Sequence, residues 1–227
     1  MTPWTLLDST RVPGDGGELC LYQRGAEYSI RIAGRGELMN SRSHGSEDAL
    51  AELGCARLVN RVDPRLLIGG LGMGFTLAAA LRHLGESAQV VVAELVPGVV
   101  AWNRDLLGDA AGQPLRDPRV SVCEKDVASV MMREAQAFDA ILLDVDNGPE
   151  GLTQEDNQWL YSEAGTRGIH RSLRPAGTLA VWSAGPDPLY LLRLKKAGFN
   201  ASVRTVRARP GKGSRHTIFL ASKGPVI

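Results

Sequence analysis

The stretch Leu66-Leu67-Ile68-Gly69-Gly70-Leu71-Gly72-Met73-Gly74-Phe75 constrains the fold of this chain more than any other. An apolar run too short for a helix follows Asp63-Pro64, turns into glycines, and continues as the Ala- and Leu-rich segment Thr76 to Leu84. This order predicts strand, tight turn and helix. Gly70, Gly72 and Gly74 alternate, so a ligand can press against bare backbone and the amides of a helix N-terminus. Such turns also occur where a helix only packs closely on a strand, but the context favours a nucleotide-like ligand. Gln89 to Glu94 reads as a second buried strand ending in an acid, about twenty residues past the turn, where a carboxylate can accept both hydroxyl protons of a ribose. The lysine of a P-loop is missing from the turn, so a triphosphate does not fit.

From Leu66 onward, short and almost wholly apolar strands alternate with helices. Strands are expected at Leu66 to Ile68, Gln89 to Ala93, Val120 to Cys123, Ala140 to Leu143 and Thr178 to Trp182. The intervening helices are expected at Phe75 to Leu84, Pro97 to Leu107, near Val127 to Ala135, within Gln158 to Leu173, and at Leu189 to Ala197. This alternation specifies a doubly wound α/β fold with a parallel sheet covered on both faces. Ala201 to Ala208 and His216 to Ala221 are joined by a loop short enough only for an antiparallel pair. A Rossmann-like sheet closed by such a hairpin resembles the class I S-adenosylmethionine-dependent transferase fold. Ahead of it, Glu18 to Gln23 and Glu27 to Ala33 alternate around Arg24-Gly25-Ala26 and predict a small N-terminal β-hairpin. Ser46 is the expected cap of a helix with Glu47 and Asp48 in its first turn. The expected division is an N-terminal β-hairpin region at 1–44 and the transferase domain at 45–227.

With Lys and Arg numbering 26 against 25 Asp and Glu, the net charge of +1 gives no global attraction to nucleic acid or membrane. No apolar run approaches the roughly twenty residues of a bilayer span, and Met1-Thr2-Pro3-Trp4 does not begin a signal peptide, so a cytoplasmic location is expected. Cys20, Cys55 and Cys123 are scattered in apolar surroundings and read as buried thiols. Neither they nor His44, His83, His170 and His216 have metal-ligand spacing, and no metal is expected.

In an open α/β sheet, ligands bind beyond the carboxyl ends of the strands, and the residues there are acidic. Glu94 follows the second strand, Asp126 the third, and Asp144 with Asp146 the fourth. By position, Glu94 would hold the ribose hydroxyls, Asp126 would accept from the adenine amino group beside the Val127 amide, and Asp144 would lie nearest the reacting centre. Carboxylates offset the charge of a sulfonium donor, and Asp144 is placed to take a proton from an amine acceptor.

The chain resembles the spermidine synthase family of aminopropyltransferases over most of its length. The resemblance rests on Ile68 to Gly74, Ala93-Glu94-Leu95, Lys125-Asp126-Val127 and Phe138 to Asp144, with Gly148-Pro149 to Leu160-Tyr161 and Leu173 to Leu179 in the family's order. It implies that Gly70, Gly72, Gly74, Glu94, Leu95, Asp126 and Val127 bind the adenosine, that Asp144 is the catalytic carboxylate, and that Glu47, Asp146 and Asn147 meet the acceptor. The implied reaction transfers an aminopropyl group from decarboxylated S-adenosylmethionine to a diamine such as putrescine.

The chain departs from that pattern at defined places. Gly72 stands where the family's glycine turn carries an Asp that holds the donor's primary amine. Gly45-Ser46-Glu47 stands for Tyr-His-Glu or Tyr-Gln-Glu, Met39 for a strand Gln, and Asn147 for a second Asp. The run Gly70 to Gly74 also fits the Gly-x-Gly-x-Gly of methyltransferases, though their acid shortly before it is missing. A methyltransferase using S-adenosylmethionine on a small molecule or nucleic acid, and a non-catalytic relative that binds an adenosyl ligand, are therefore the alternatives.

Trp159 and Tyr161 are candidates for the acceptor wall, with helix core as the plainer reading. Arg204, Arg207, Arg209, Lys212 and Arg215 concentrate charge near the C-terminus, where a solvated sheet edge explains them better than phosphate contacts. A small-molecule amine acceptor is the expected partner and nucleic acid is not. A homodimer is the ordinary expectation for the family.

Overall fold

The computed structural model describes residues 2–14, 17–145, 158–209 and 212–224. Its centre is a seven-stranded sheet in the order β10-β11-β9-β8-β5-β6-β7. The strands are β5 (Arg65–Gly69), β6 (Gln89–Ala93), β7 (Val120–Cys123), β8 (Phe138–Leu143), β9 (Leu173–Ser183), β10 (Phe199–Arg209) and β11 (Lys212–Lys223). β5 pairs in parallel with both β6 and β8, and β9 joins β8 in parallel. The last two strands are antiparallel, β11 to β9 and β10 to β11.

Every residue of β8 is buried, and β5 is buried from its second residue onward. Near-continuous apolar runs of this kind are what a sheet covered on both faces demands. α1 (Gly45–Cys55), α2 (Phe75–Arg82) and α3 (Pro97–Arg104) cover one face, packing on Leu66, Ile68, Val90 and Leu142. α4 (Val127–Met131), α5 (Gln158–Tyr161), α6 (Glu163–Ser172) and α7 (Pro188–Lys196) belong to the other, around Leu67, Ile141, Leu143 and Phe219. Alternate residues of one strand thus feed two separate cores.

The expected hairpin is present as β2 (Glu18–Arg24) and β3 (Glu27–Ile32), but β1 (Thr5–Arg11) and β4 (Gly36–Asn40) extend it to an antiparallel sheet of four strands. β1 carries mostly exposed residues, which removes the alternation that marks a strand in sequence. Leu19, Leu21 and Ile30 of this sheet join the core of the α1 face. The indole of Trp102 in α3 donates to Asp8 Oδ2 of β1 at 2.7 Å. The small sheet therefore lies as a roof over one edge of the large one.

The start of α1 corrects the sequence expectation. His44, not Ser46, occupies the N-cap, and Ser46 is already helical, its hydroxyl donating to Glu47 Oε2 at 2.5 Å. His44 instead pairs its Nδ1 with Asp48 Oδ2 at 2.8 Å and stacks on Phe75, with ring centroids 4.3 Å apart.

At the opposite end of the sheet Asp139, 2% exposed, accepts from Arg61 Nη1 at 2.9 Å, Arg174 Nη1 at 2.7 Å and the Arg65 amide at 2.8 Å. These bonds fix the start of β8 against the start of β5 and the start of β9.

Candidate functional site

The switch in winding direction at β5 and β8 opens a crevice beyond their carboxyl ends, where an α/β sheet presents its ligand site. Glu94 just after β6, Asp126 shortly after β7 and Asp144 just after β8 all line it. Gly70, Gly72, Leu95 and Val127 line the same cleft, which encloses about 830 Å³ including the open space at its mouth. The roof contributes Val12, Leu19, Ile30, Leu38 and Met39. One wall is therefore polar and acidic and the other is apolar.

Backbone geometry makes the floor. Gly70 has φ +86°, and a Cβ there would stand 2.3 Å from the Asp144 carbonyl oxygen, so only glycine lets the turn pass under the end of β8. The Gly70 amide donates to Ala93 O at 2.9 Å, and the Asp144 amide to Gly69 O at 2.8 Å, which locks the turn to both neighbouring strands. Gly74 faces elsewhere. A Cβ on it would meet Asn103 Oδ1 at 2.9 Å and Pro114 at 3.2 Å, so its missing side chain serves the packing of α2 rather than the cleft. Asn103 closes the arrangement by donating to Gly72 O at 2.8 Å and Val99 O at 2.9 Å.

Glu94 is 8% exposed and grips the turn from below, Oε2 accepting from the Leu71 amide and Oε1 from the Val96 amide, each at 2.8 Å. Its carboxylate is thereby oriented before any ligand arrives. Asp126 caps α4 by accepting from the Ala128 amide at 3.0 Å while its exposed side chain borders the cleft.

A second compartment of about 630 Å³ adjoins the first and is lined by Asn40, Glu47, Leu71, Met73, Phe75, Thr76 and Trp182 among others. Asp144 belongs to both compartments. Its Oδ2 accepts from Thr76 Oγ1 at 2.5 Å. Protein surrounds the carboxyl except toward the cleft, and this burial, reinforced by the nearby Glu47 charge, pushes its pKa up to about 7 despite the Thr76 bond. Burial also raises the Glu47 pKa, with Ser46 opposing. No lysine or arginine lines either compartment among the described residues.

Several expected site residues stand apart from this set. Asp146 and Asn147 lie outside the described residues. Tyr161 is 5% exposed within the core of the second face, and Trp159 packs against it and beside Gly168, so both behave as core. Arg204, Arg207, Arg209 and Arg215 are exposed on the terminal strands and line neither compartment. Sequence reasoning missed Thr76 and Trp182. Trp182 nears the end of β9, and proximity to a strand end is the signal that points to it, whereas Thr76 sits in the first turn of α2 after the glycine turn and carries no such mark.

No protein-family profile matches the chain. No curated protein matches it either. Solved structures do. The spermidine synthase of Thermotoga maritima aligns over 96% of this chain and 73% of its own, with a TM-score of 0.74 and 18% identity. A spermidine synthase in complex with the transition state analogue AdoDATO aligns over 96% and 72%, with a TM-score of 0.73 and the same 18% identity. A probable spermidine synthase from Corynebacterium glutamicum aligns over 96% and 79% at a TM-score of 0.65, again with 18% identity. The chain has the spermidine synthase fold.

Proposed function

We propose that the chain is a spermidine synthase-like transferase that binds an adenosyl sulfonium donor and moves an aminopropyl group to an amine such as putrescine. The observation that carries this reading is the position of Asp144, which borders both compartments with Glu47 lining the second and no basic side chain lining either among the described residues. Such walls favour cationic guests, and a decarboxylated tail spares a carboxylate from facing two acids. The complex of a solved structural neighbour with AdoDATO supports the same donor class.

The residues fit an adenosyl group. Gly70, Gly72 and Leu71 form the floor, with Gly74 behind it at the cap of α2; Glu94 would take the ribose hydroxyls; Asp126 would accept from the adenine amino group, with Leu95 and Val127 against the ring. In the transfer step the acceptor nitrogen bonds to the carbon beside the sulfonium sulfur. The carbon–sulfur bond breaks with its electron pair going to sulfur, which leaves a neutral thioether. The proton lost by nitrogen passes to Asp144, whose pKa near 7 suits it to that exchange. Glu47 would offset the charge of the acceptor's distant ammonium. Asp146 and Asn147 are part of the proposed acceptor set from sequence alone. A cytoplasmic location and a homodimer belong to the same proposal.

A second reading, methyl transfer from S-adenosylmethionine, is favoured by Gly72, which puts no acidic side chain where it would repel the donor's own carboxylate. Thermal stabilisation by S-adenosylmethionine and by its decarboxylated form, at equal concentrations, separates the two, because a ligand that binds only the folded state raises stability according to its affinity. Preference for the decarboxylated donor is the expected result, and preference for the carboxylated donor supports methyl transfer. With the preferred donor, Asp144→Asn is expected to lower turnover about 100-fold or more while keeping donor binding. An active Asp144→Asn enzyme would refute the assignment of the base. Absence of any transfer product in the unmodified protein would leave a non-catalytic adenosyl-binding relative.

A further inference from the structure

The two compartments have Leu38, Met39, Gly72 and Asp144 in common. Anything reaching from one compartment into the other passes among these residues. Met39 hangs from β4 in the roof, paired across the ladder with Ile30, whereas Gly72 belongs to the floor. A Cβ on Gly72 would stand 3.2 Å from Met39 Sδ and 3.5 Å from its Cε. Met39 therefore fills the space into which a side chain at position 72 would grow. One flank of the junction is a thioether above bare backbone, and the other is the Asp144 carboxyl.

We propose, resting on the adenosyl reading above, that Met39 is a specificity-determining residue that selects the substituent on the 5′ sulfur of the ligand by shape. Of the four shared residues, only Asp144 carries charge, so the thioether flank discriminates among tails by fit. Methionine is unbranched, has three rotatable bonds and a polarisable sulfur, and packs against methylene groups without fixed geometry. An unbranched tail enters by turning the Met39 side chain aside. Gly72 is the complementary half of the device, since it supplies the room in which Met39 rests.

The test uses two neutral probes that share the adenosine and differ only in tail length, 5′-deoxy-5′-methylthioadenosine and 5′-deoxy-5′-propylthioadenosine. Both are titrated against the unmodified protein, Met39→Ala, Met39→Leu, Gly72→Ala and the Met39→Ala/Gly72→Ala double variant. Met39→Ala is expected to raise the propyl-to-methyl affinity ratio about tenfold, the scale of methylene fit in an apolar pocket. Met39→Leu, which restores bulk, is expected to return the ratio toward that of the unmodified protein. Gly72→Ala strains the turn at φ +54° whatever stands at position 39, a cost that falls on both probes; beyond it, the variant is expected to lower the ratio when Met39 is present and to leave the ratio unchanged when residue 39 is Ala, as contacting residues are not additive. A ratio that stays within about twofold in Met39→Ala, with both affinities falling together, marks a merely structural role and overturns the proposal. Binding of neither probe to the unmodified protein overturns the adenosyl reading along with it.

Discussion

Thr76 Oγ1 donates to Asp144 Oδ2 across 2.5 Å, and this bond ties the first turn of α2 to the end of β8. Among the described residues, this bond favours the charged carboxylate there, against burial and the Glu47 charge. Thr76→Val keeps the shape and removes the donor. The Asp144 pKa is expected to rise further, moving the acid limb of the pH–rate profile upward and lowering turnover at neutral pH by about tenfold. A profile that stays in place would separate Thr76 from the titration of Asp144.

Glu47 acts in the opposite sense. Asp144 titrates near 7 in the folded chain and at an ordinary carboxylate value, 3.8, when unfolded. Between these values the folded state holds a proton that the unfolded state has released, so stability falls as pH rises through that window and levels above it. Glu47→Gln removes a like charge and is expected to lower the Asp144 pKa. The variant should be more stable than the unmodified protein by about 1 kcal/mol at pH 8, a gain that vanishes near pH 4. Melting temperatures across that range provide the check.

Gly70→Ala tests the floor. Its new Cβ would meet the Asp144 carbonyl at 2.3 Å in a left-handed backbone conformation, so the turn must move away from β8. The expected cost is about 1–3 kcal/mol of stability together with loss of measurable nucleoside binding. Calorimetry of folding and of binding reads the two effects separately.

Asp139→Ala tests the far end of the same strand. Removing the buried carboxylate strands Arg61 and Arg174 near an uncompensated Arg65 amide. Both guanidinium groups reach solvent, so a loss of about 2–3 kcal/mol is expected, which lowers the melting temperature by about 5–10 °C for a chain of this size. Nucleoside affinity of the fraction that remains folded should be unchanged, because Asp139 lines neither compartment.

The large sheet was legible because each of its signals is local. Buried strands such as Phe138–Leu143 announce themselves as apolar runs, and Glu94, Asp126 and Asp144 sit just past their strands in the chain itself. The sequence points to Ser46 as the cap because serine is the better intrinsic capping residue, while the stack of His44 on Phe75 that accompanies the observed cap is a tertiary contact. β1 has no signature in the sequence because the residues of an exposed edge strand need not alternate. Trp159 and Tyr161 could be placed in a core only once the faces of the sheet were known. Thr76 reads in sequence as an ordinary helix residue, and nothing near Met39 in the chain indicates that its sulfur lies over Gly72.

The cleft lies between two sheets instead of inside one. Its roof is held to the body by contacts such as Trp102 with Asp8, and by Met39 resting on the glycine turn. A guest that touches both surfaces is therefore also an adhesive between them. Its occupancy should be felt as protection of the first forty residues from proteases, in proportion to how much of the roof the guest engages. Inhibitors that rest only on the glycine turn would leave that canopy as easily lifted as before.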